Sequence, residues 1–483
     1  MSFQSVFFIF SFFVLVVVLA VVRKEIARQL IILFASFLFY GLWDWRFLFF
    51  VFICILTMYF GCVLMLKDRE HNGKAKKLVL TICIVILLGI LGVLKYFDFF
   101  VSGFCTLLGI ESSFSLNLIL PVGISFYTFS AIGFIIDVYR GEIQEKVPIY
   151  QIAFYVVYFP KVLQGPICKA DGFLNQLKNE HRITWANISS GSQIFVFGLI
   201  KKLVIADRLG LFIDTVYATP KAFSGLSLLL VALSYPIQLY CDFSGYTDMA
   251  IGTSRILGYD LCQNFNIPFI SKTVAEYWRR WHMSLNIWFR DYLFYPIIRS
   301  NWVGWIRKRA KTKSKRLAKV LPPIIGMLIV WPLVGLWHGA SVNFVLYGTI
   351  YGLLMIIGQL YDSFGKQIPN TKVLDSLRII RTFVITVILL ILFRVPDLKT
   401  FGLVVSRILT MHDGIKYYYT WSFLFIPLVL GLSVFAYLKN KGDGYYLILD
   451  LSKMYNKIIF CTVVLLTIIF MYVGENYFMY FKF

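Results

Sequence analysis

Long apolar runs, punctuated by short basic ones, recur from one end of this chain to the other. Val6–Val22, Phe47–Leu66, Leu78–Leu94, Leu321–Trp337 and Val342–Leu360 each approach the ~20 residues that a helix needs to cross a bilayer core. Leu30–Trp43, Ile379–Phe393, Ser422–Leu438 and Ile458–Val473 extend the series. Hydrophobic residues make up 59% of the chain and charged ones 15%, against roughly 45–50% and about 25% in a soluble domain. An aqueous fold has no place for that much apolar surface, so lipid is the solvent for most of the chain. In lipid every backbone polar group must be satisfied internally, which leaves helices for runs of this length. The expected fold is an all-α integral membrane protein with about 11–13 membrane segments, some of them short, re-entrant or interfacial. It reads as one domain over 1–483: N-terminal helices in 1–137, a motif-bearing region in 138–361 and C-terminal helices in 362–483.

The formal net charge is +22. Its basic residues gather between apolar runs, at Lys67–Lys77, Arg307–Lys319, Lys366–Arg381 and Lys439–Lys457. That is the positive-inside pattern of a multi-pass protein, with attraction to anionic lipid. Nucleic acid is not an expected partner, because no polar module surrounds these runs. The first apolar run lacks a basic n-region and a small-residue cleavage site, so it reads as a retained helix with the N-terminus outside. The eight cysteines form no C-x-x-C pair and read as small apolar residues rather than metal ligands.

Several stretches do not fit a plain span. Phe99–Ile110 is too short and reads as interfacial or re-entrant. Leu116–Ile136 contains Pro121 and Gly123, so a kinked helix is expected. Ile149–Pro166 carries Lys161 in apolar surroundings, where a lysine must face protein or water. Ser190–Ala206 ends in Lys201-Lys202 and reads as an interfacial helix or a short span. Arg299–Lys319 reads as a basic loop, and residues 275–292 as one amphipathic helix.

Candidate chemistry lies between Glu276 and Gly348. Two of only five histidines sit here among aromatic residues. His338 ends an apolar run in Gly335-Leu-Trp-His-Gly339, and a neutral imidazole suits proton removal near neutral pH. The alternative is a helix-end histidine satisfied by a carbonyl. Asn343 is placed to polarise a carbonyl or orient the ring, with Trp337 beside it. His282 lies in Glu276-Tyr-Trp-Arg-Arg-Trp-His-Met-Ser-Leu-Asn-Ile-Trp-Phe-Arg-Asp-Tyr292. Arg279, Arg280, Trp281 and Asp291 of that block read either as the wall of a polar tunnel or as an interfacial anchor. Glu276 and Arg280 form an i,i+4 pair. Asp242 and Asp248 close an apolar run and need partners, a histidine or an arginine, or a helix cap. No phosphate loop, nucleophile elbow, zinc motif or dinucleotide fingerprint is present, so no metal and no bound cofactor are expected.

Six motifs in order resemble the membrane-bound O-acyltransferase (MBOAT) family, and within it the bacterial branch of alginate O-acetylation membrane proteins. They are Tyr158-Phe-Pro-Lys-Val-Leu-Gln-Gly-Pro166, Phe197–Arg208, Gln238-Leu-Tyr-Cys-Asp-Phe-Ser-Gly-Tyr-Thr-Asp248 through Gly252, Asn264–Pro268, Trp278–Tyr292 and Gly335–Ala340. Phe393-Arg-Val-Pro396 and the ending Tyr480-Phe-Lys-Phe483 add to the likeness. The resemblance implies a helical bundle around a central tunnel, in the bacterial cytoplasmic membrane. It implies that His338 is the hallmark histidine and His282 the second one. It implies transfer of an acetyl group from a cytoplasmic thioester, acetyl-CoA, to an exported or cell-surface polysaccharide or through a secreted acetyltransferase partner. Where relatives carry Gly-Gly-Asn-Arg after Tyr295-Pro296, this chain has Ile297-Ile-Arg-Ser-Asn301, which bears on the acceptor. Two alternatives stand beside it: D-alanyl transfer to teichoic acid from an acyl carrier protein, and a transporter or channel, which broken helices and intramembrane charges suit equally well.

Overall fold

The computed structural model describes residues 3–67, 73–110, 116, 118–365, 371–439, 446 and 448–474. The Tyr480–Phe483 ending, residues 68–72 of the first basic run and residues 366–370 of another lie outside the described residues. Among the described residues the structure is helical, apart from one isolated bridge between Phe223 and Ile415. Six helices are long and apolar enough to cross a membrane: Phe47–Lys67, Gly73–Cys105, Gly225–Ile256, Lys315–His338, Val342–Phe364 and Lys372–Arg394. Val6–Val21 and Met454–Phe470 are shorter apolar helices. The chain is a polytopic helical membrane protein. Two compact units divide it, one of residues 1–199, 246–262 and 448–465, the other of residues 200–245, 263–447 and 466–483.

In the first unit the helices Phe47–Lys67, Gly73–Leu91 and Ile124–Arg140 meet at Gly61. A Cβ there would lie 2.7 Å from Ile135 Cδ1 and 2.8 Å from Cys83 Sγ. Small residues at helix contacts are how apolar helices gain packing in lipid. Phe99–Ile110 is not a separate interfacial piece. The preceding helix continues into Phe97–Leu107 through one π-helical turn, Gly92–Tyr96, because no proline interrupts it. Pro121 does not kink a helix either. The helix starts at Ile124, after Gly123, whose φ of +78° and lack of a Cβ let the Val162 carbonyl press against it.

That carbonyl belongs to a re-entrant loop. Helix Ile149–Val157 ends at Tyr158, and the chain turns back through Pro160 and Gly165. At the turn the Phe159 N–H donates to Ser36 Oγ (3.1 Å), half-way along helix Glu25–Gly41. Lys161, at the tip, is buried. Its ammonium lies 3.6 Å from the centre of the Tyr155 ring and 5.0 Å from that of Phe173. Aromatic faces meet the charge, as an intramembrane lysine requires. The chain then re-emerges into a charged loop, where Lys178 pairs with Glu145 (3.2 Å) and the His181 N–H donates to Glu25. This end of the unit carries Arg23, Lys24, Lys67, Lys74, Lys76 and Arg140.

In the second unit Arg299–Lys319 is helical rather than a loop. Helix Asn301–Lys313 folds back at Ser314, whose hydroxyl accepts from the Leu317 N–H and caps helix Lys315–His338. Lysine, arginine and alanine are good helix formers, and only Gly304 dilutes them. Helix Lys315–His338 packs on Val342–Phe364 through two glycines. A Cβ on Gly335 would run into the Phe344 carbonyl oxygen, and one on Gly348 into that of Trp331.

Candidate active site

The block around His282 is not one helix. Val274–Arg280 stops at Trp281, and Met283–Phe289 restarts. Between them His282 has φ +45° and ψ +53°, a left-handed conformation uncommon for a side-chain-bearing residue and often found at functional sites. Two backbone hydrogen bonds hold the break open. The Asn266 N–H donates to the Arg280 carbonyl (2.9 Å), and the Met283 N–H to the Asn264 carbonyl (2.8 Å).

Asn264 also fixes the ring. Its Oδ1 accepts from the Ser284 N–H (3.2 Å) and the Ser284 hydroxyl (2.8 Å). A backbone N–H can only donate, so this atom must be the amide oxygen. His282 Nδ1, 3.0 Å from the same oxygen, must therefore carry a proton. The lone pair of the neutral imidazole is left on Nε2. His282 lies outside the six long spans, and burial pushes it down to about 3, which keeps the ring neutral. Asn264 holds Ser284 through both its N–H and its hydroxyl.

Trp337 brings the two histidines to one place. Its ring centre lies 5.7 Å from that of His282 and 4.8 Å from that of His338. Phe243 meets His282 edge to face at 4.7 Å. Phe393 meets His338 at 5.0 Å, and Tyr347 at 6.0 Å. His338 is the last residue of its helix and buried. It lies about 33 Å along that helix from Arg316, at 1.5 Å per residue, so the imidazoles sit far from the basic end of the hairpin.

The other expected residues differ in burial and in pairing. Trp281 is buried against Tyr277 (5.7 Å) and Phe265 (5.1 Å), which stiffens the break beside His282. Arg280 pairs with Glu276 at 2.9 Å, as the spacing predicts, and also donates to the Asn266 carbonyl. Arg279 is exposed, and Asp291 pairs with Arg290. Asn343 donates through Nδ2 to the Val395 carbonyl (2.9 Å), tying two helix ends together.

Asp242 has a lysine for a partner. Its carboxylate takes Lys202 Nζ at 2.5 Å, and the same ammonium lies 2.8 Å from Asp207. Lys202 is wholly buried, so Lys201-Lys202 is not the charged end of an interfacial helix. A π-helical turn, Ile200–Ala206, carries it to Asp242, the neighbour of Phe243. Asp248, six residues further along helix Gly225–Ile256, faces another side and is buried in the first unit. Sequence reading quoted Asn264, Lys202 and Asp207 only inside the resemblance motifs Asn264–Pro268 and Phe197–Arg208 and gave them no site role.

Comparison with known proteins bears on this arrangement directly. An alginate O-acetylase described as probable, AlgI of Pseudomonas aeruginosa, is 33% identical over 403 residues, covering 83% of this chain and 73% of its own. The peptidoglycan O-acetyltransferase of Helicobacter pylori is 29% identical, covering 73% and 68%. The teichoic acid D-alanyltransferase of Bacillus subtilis is 30% identical, covering 55% and 67%. The sequence profile of the membrane-bound O-acyltransferase family matches residues 46–393, a span that includes both histidines, Asn264 and the Lys202 ion pairs. By these matches the chain is an O-acyltransferase that belongs to the membrane-bound O-acyltransferase family.

Proposed function

We propose that this protein moves an acetyl group from a cytoplasmic thioester, acetyl-CoA, to a hydroxyl of an exported or cell-surface polysaccharide, in the bacterial cytoplasmic membrane. The observation that carries this reading is the pair of imidazoles on Trp337, far from the basic end of the hairpin. By the positive-inside bias that basic end faces the cytoplasm. A donor entering there and an acceptor entering from the other side meet only across the membrane. His338 takes the proton of the acceptor hydroxyl as its oxygen attacks the thioester carbonyl. The tetrahedral intermediate collapses, the C–S bond breaks, and the imidazolium returns the proton to the leaving thiolate. His282, neutral with its lone pair on Nε2, accepts a hydrogen bond from acceptor or donor and orients it. Buried aromatic walls keep water from the thioester.

His338→Ala is expected to lower acyl transfer by ~10²–10⁴-fold, the usual worth of a general base, while the protein accumulates in the membrane as before. The measurement is the acetyl content of surface polymer from cells carrying each variant. Unchanged acetylation would sink the assignment. D-alanyl transfer from an acyl carrier protein has support from the Bacillus subtilis relative. Mass analysis of surface polymers with and without the protein separates the two, by loss of acetyl or of D-alanyl groups.

A further inference from the structure

Away from the histidines, the return limb of the re-entrant loop brings two thiols and a buried cation together. The Cys262 N–H donates to Cys168 Sγ at 3.0 Å, across 94 residues of sequence. Cys168 is buried, and Cys262 is exposed. The Tyr155 hydroxyl donates to the Cys168 carbonyl (2.8 Å), and the same tyrosine ring carries the Lys161 ammonium on its face. The Cys262 side chain, the Lys161 charge and the Cys262 N–H together hold the Cys168 thiol below the usual thiol range. Cys262 moves the opposite way, because its thiol donates to Cys168. Cys168 is therefore the more acidic thiol of the two.

The pair sits at an aqueous edge. Cys168 precedes Lys169 and Asp171, and Cys262 follows Asp260, which is joined to Gln176 through backbone and side chain. This is the basic end of the first unit, cytoplasmic by the positive-inside bias. Thiols are kept reduced there, and a pair so placed responds to a change in redox state.

We propose that Cys168 and Cys262 form a reversible dithiol–disulfide site that reacts with small-molecule disulfides. Cys168 gives up its proton and attacks one sulfur of the small disulfide, and the thiolate expelled takes up that proton, leaving a mixed disulfide. Cys262 then attacks Cys168 Sγ, and its proton goes to the second departing thiolate. Two protein thiols become one disulfide, and the small disulfide leaves as two thiols, reduced by two electrons. Cys262 lies two residues before Asn264, so the new bond would anchor the chain that leads to the His282 ring.

The test uses the full-length protein in inverted membrane vesicles, treated with glutathione at a series of oxidised-to-reduced ratios. Free thiols are alkylated after denaturation, and peptides are read by mass. The expected result is a linked Cys168–Cys262 peptide that rises with the oxidised fraction and disappears on reduction. The buried Cys54, Cys62, Cys83 and Cys241 stay alkylated. In Cys262→Ser a glutathione adduct accumulates on Cys168. Cys168 and Cys262 both alkylated at every ratio would overturn the proposal, as would a stable glutathione adduct on either in the unaltered protein. This readout is independent of acyl transfer, so it stands or falls apart from the proposed activity.

Discussion

At the scale of single residues, Asn264 and Lys202 do the positioning. Asn264 fixes which nitrogen of His282 carries the proton, so Asn264→Ala is expected to lower kcat by at least about 10-fold, within the range that general acid–base groups contribute. Asn264→Asp gives a sharper outcome. A carboxylate beside the ring favours the imidazolium, so the His282 pKa rises from its depressed value. Neutral His282 then prevails only above the new pKa, and the acid limb of the pH–rate profile moves to higher pH. A purely structural role for Asn264 would lower the rate without moving that limb. Lys202 answers to two carboxylates in a buried place. Lys202→Met leaves them without their cation and is expected to cost ~3–5 kcal/mol, read as a lower unfolding temperature in detergent. Lys202→Arg keeps the charge and should recover most of it.

Among the elements, the decisive one is the interrupted helix pair around His282. A continuous helix over 275–292 would carry its side chains around one axis, and the left-handed residue instead turns the ring toward Trp337. The hairpin of Lys315–His338 and Val342–Phe364 supplies the opposite wall. Its two backbones approach through Gly335 and Gly348, which leave no room for a methyl group. Gly335→Ala is therefore expected to destabilise by at least the ~1–3 kcal/mol typical of overpacking, and to lower acyl transfer because His338 lies three residues on. Thermal unfolding and polymer acetyl content measure the two effects. A half-buried glycine of the neighbouring basic helix, Gly304, has nothing near its Cβ position, and Gly304→Ala should leave both unchanged.

For the whole molecule, charge sets orientation and burial sets chemistry. In the first unit the charged loop around Lys178 and the basic helix ends lie together. In the second, Arg316 meets Phe364 (5.5 Å), and Lys272 pairs with Asp375, so the start of one span, the end of the next and the start of a third share a basic side. Cysteine introduced at Lys178 or Lys308 is expected to react with a membrane-impermeant thiol reagent only from the cytoplasmic side, and one at Trp45 only from the other. Labelling intact cells against inverted vesicles reads this out.

How much the sequence alone carried follows from the range of each interaction. Apolar run length is local, and it located the end of Lys315–His338 and the start of Val342–Phe364 to within a residue, while their basic or polar outer turns lay beyond the apolar runs. The i,i+4 pair of Glu276 and Arg280 was legible for the same reason. Charge in a loop and charge on a helix look alike in composition, so the basic hairpin passed for a loop. The motifs pointed to His338 and His282, and chain order could say no more than that 56 residues separate them. Tertiary structure alone put both rings on Trp337, chose the tautomer of His282 through a residue 18 positions earlier, and gave Asp242 to a lysine 40 positions earlier. Each of these rests on a hydrogen bond or packing contact between segments that only folding brings together, and no local pattern encodes it.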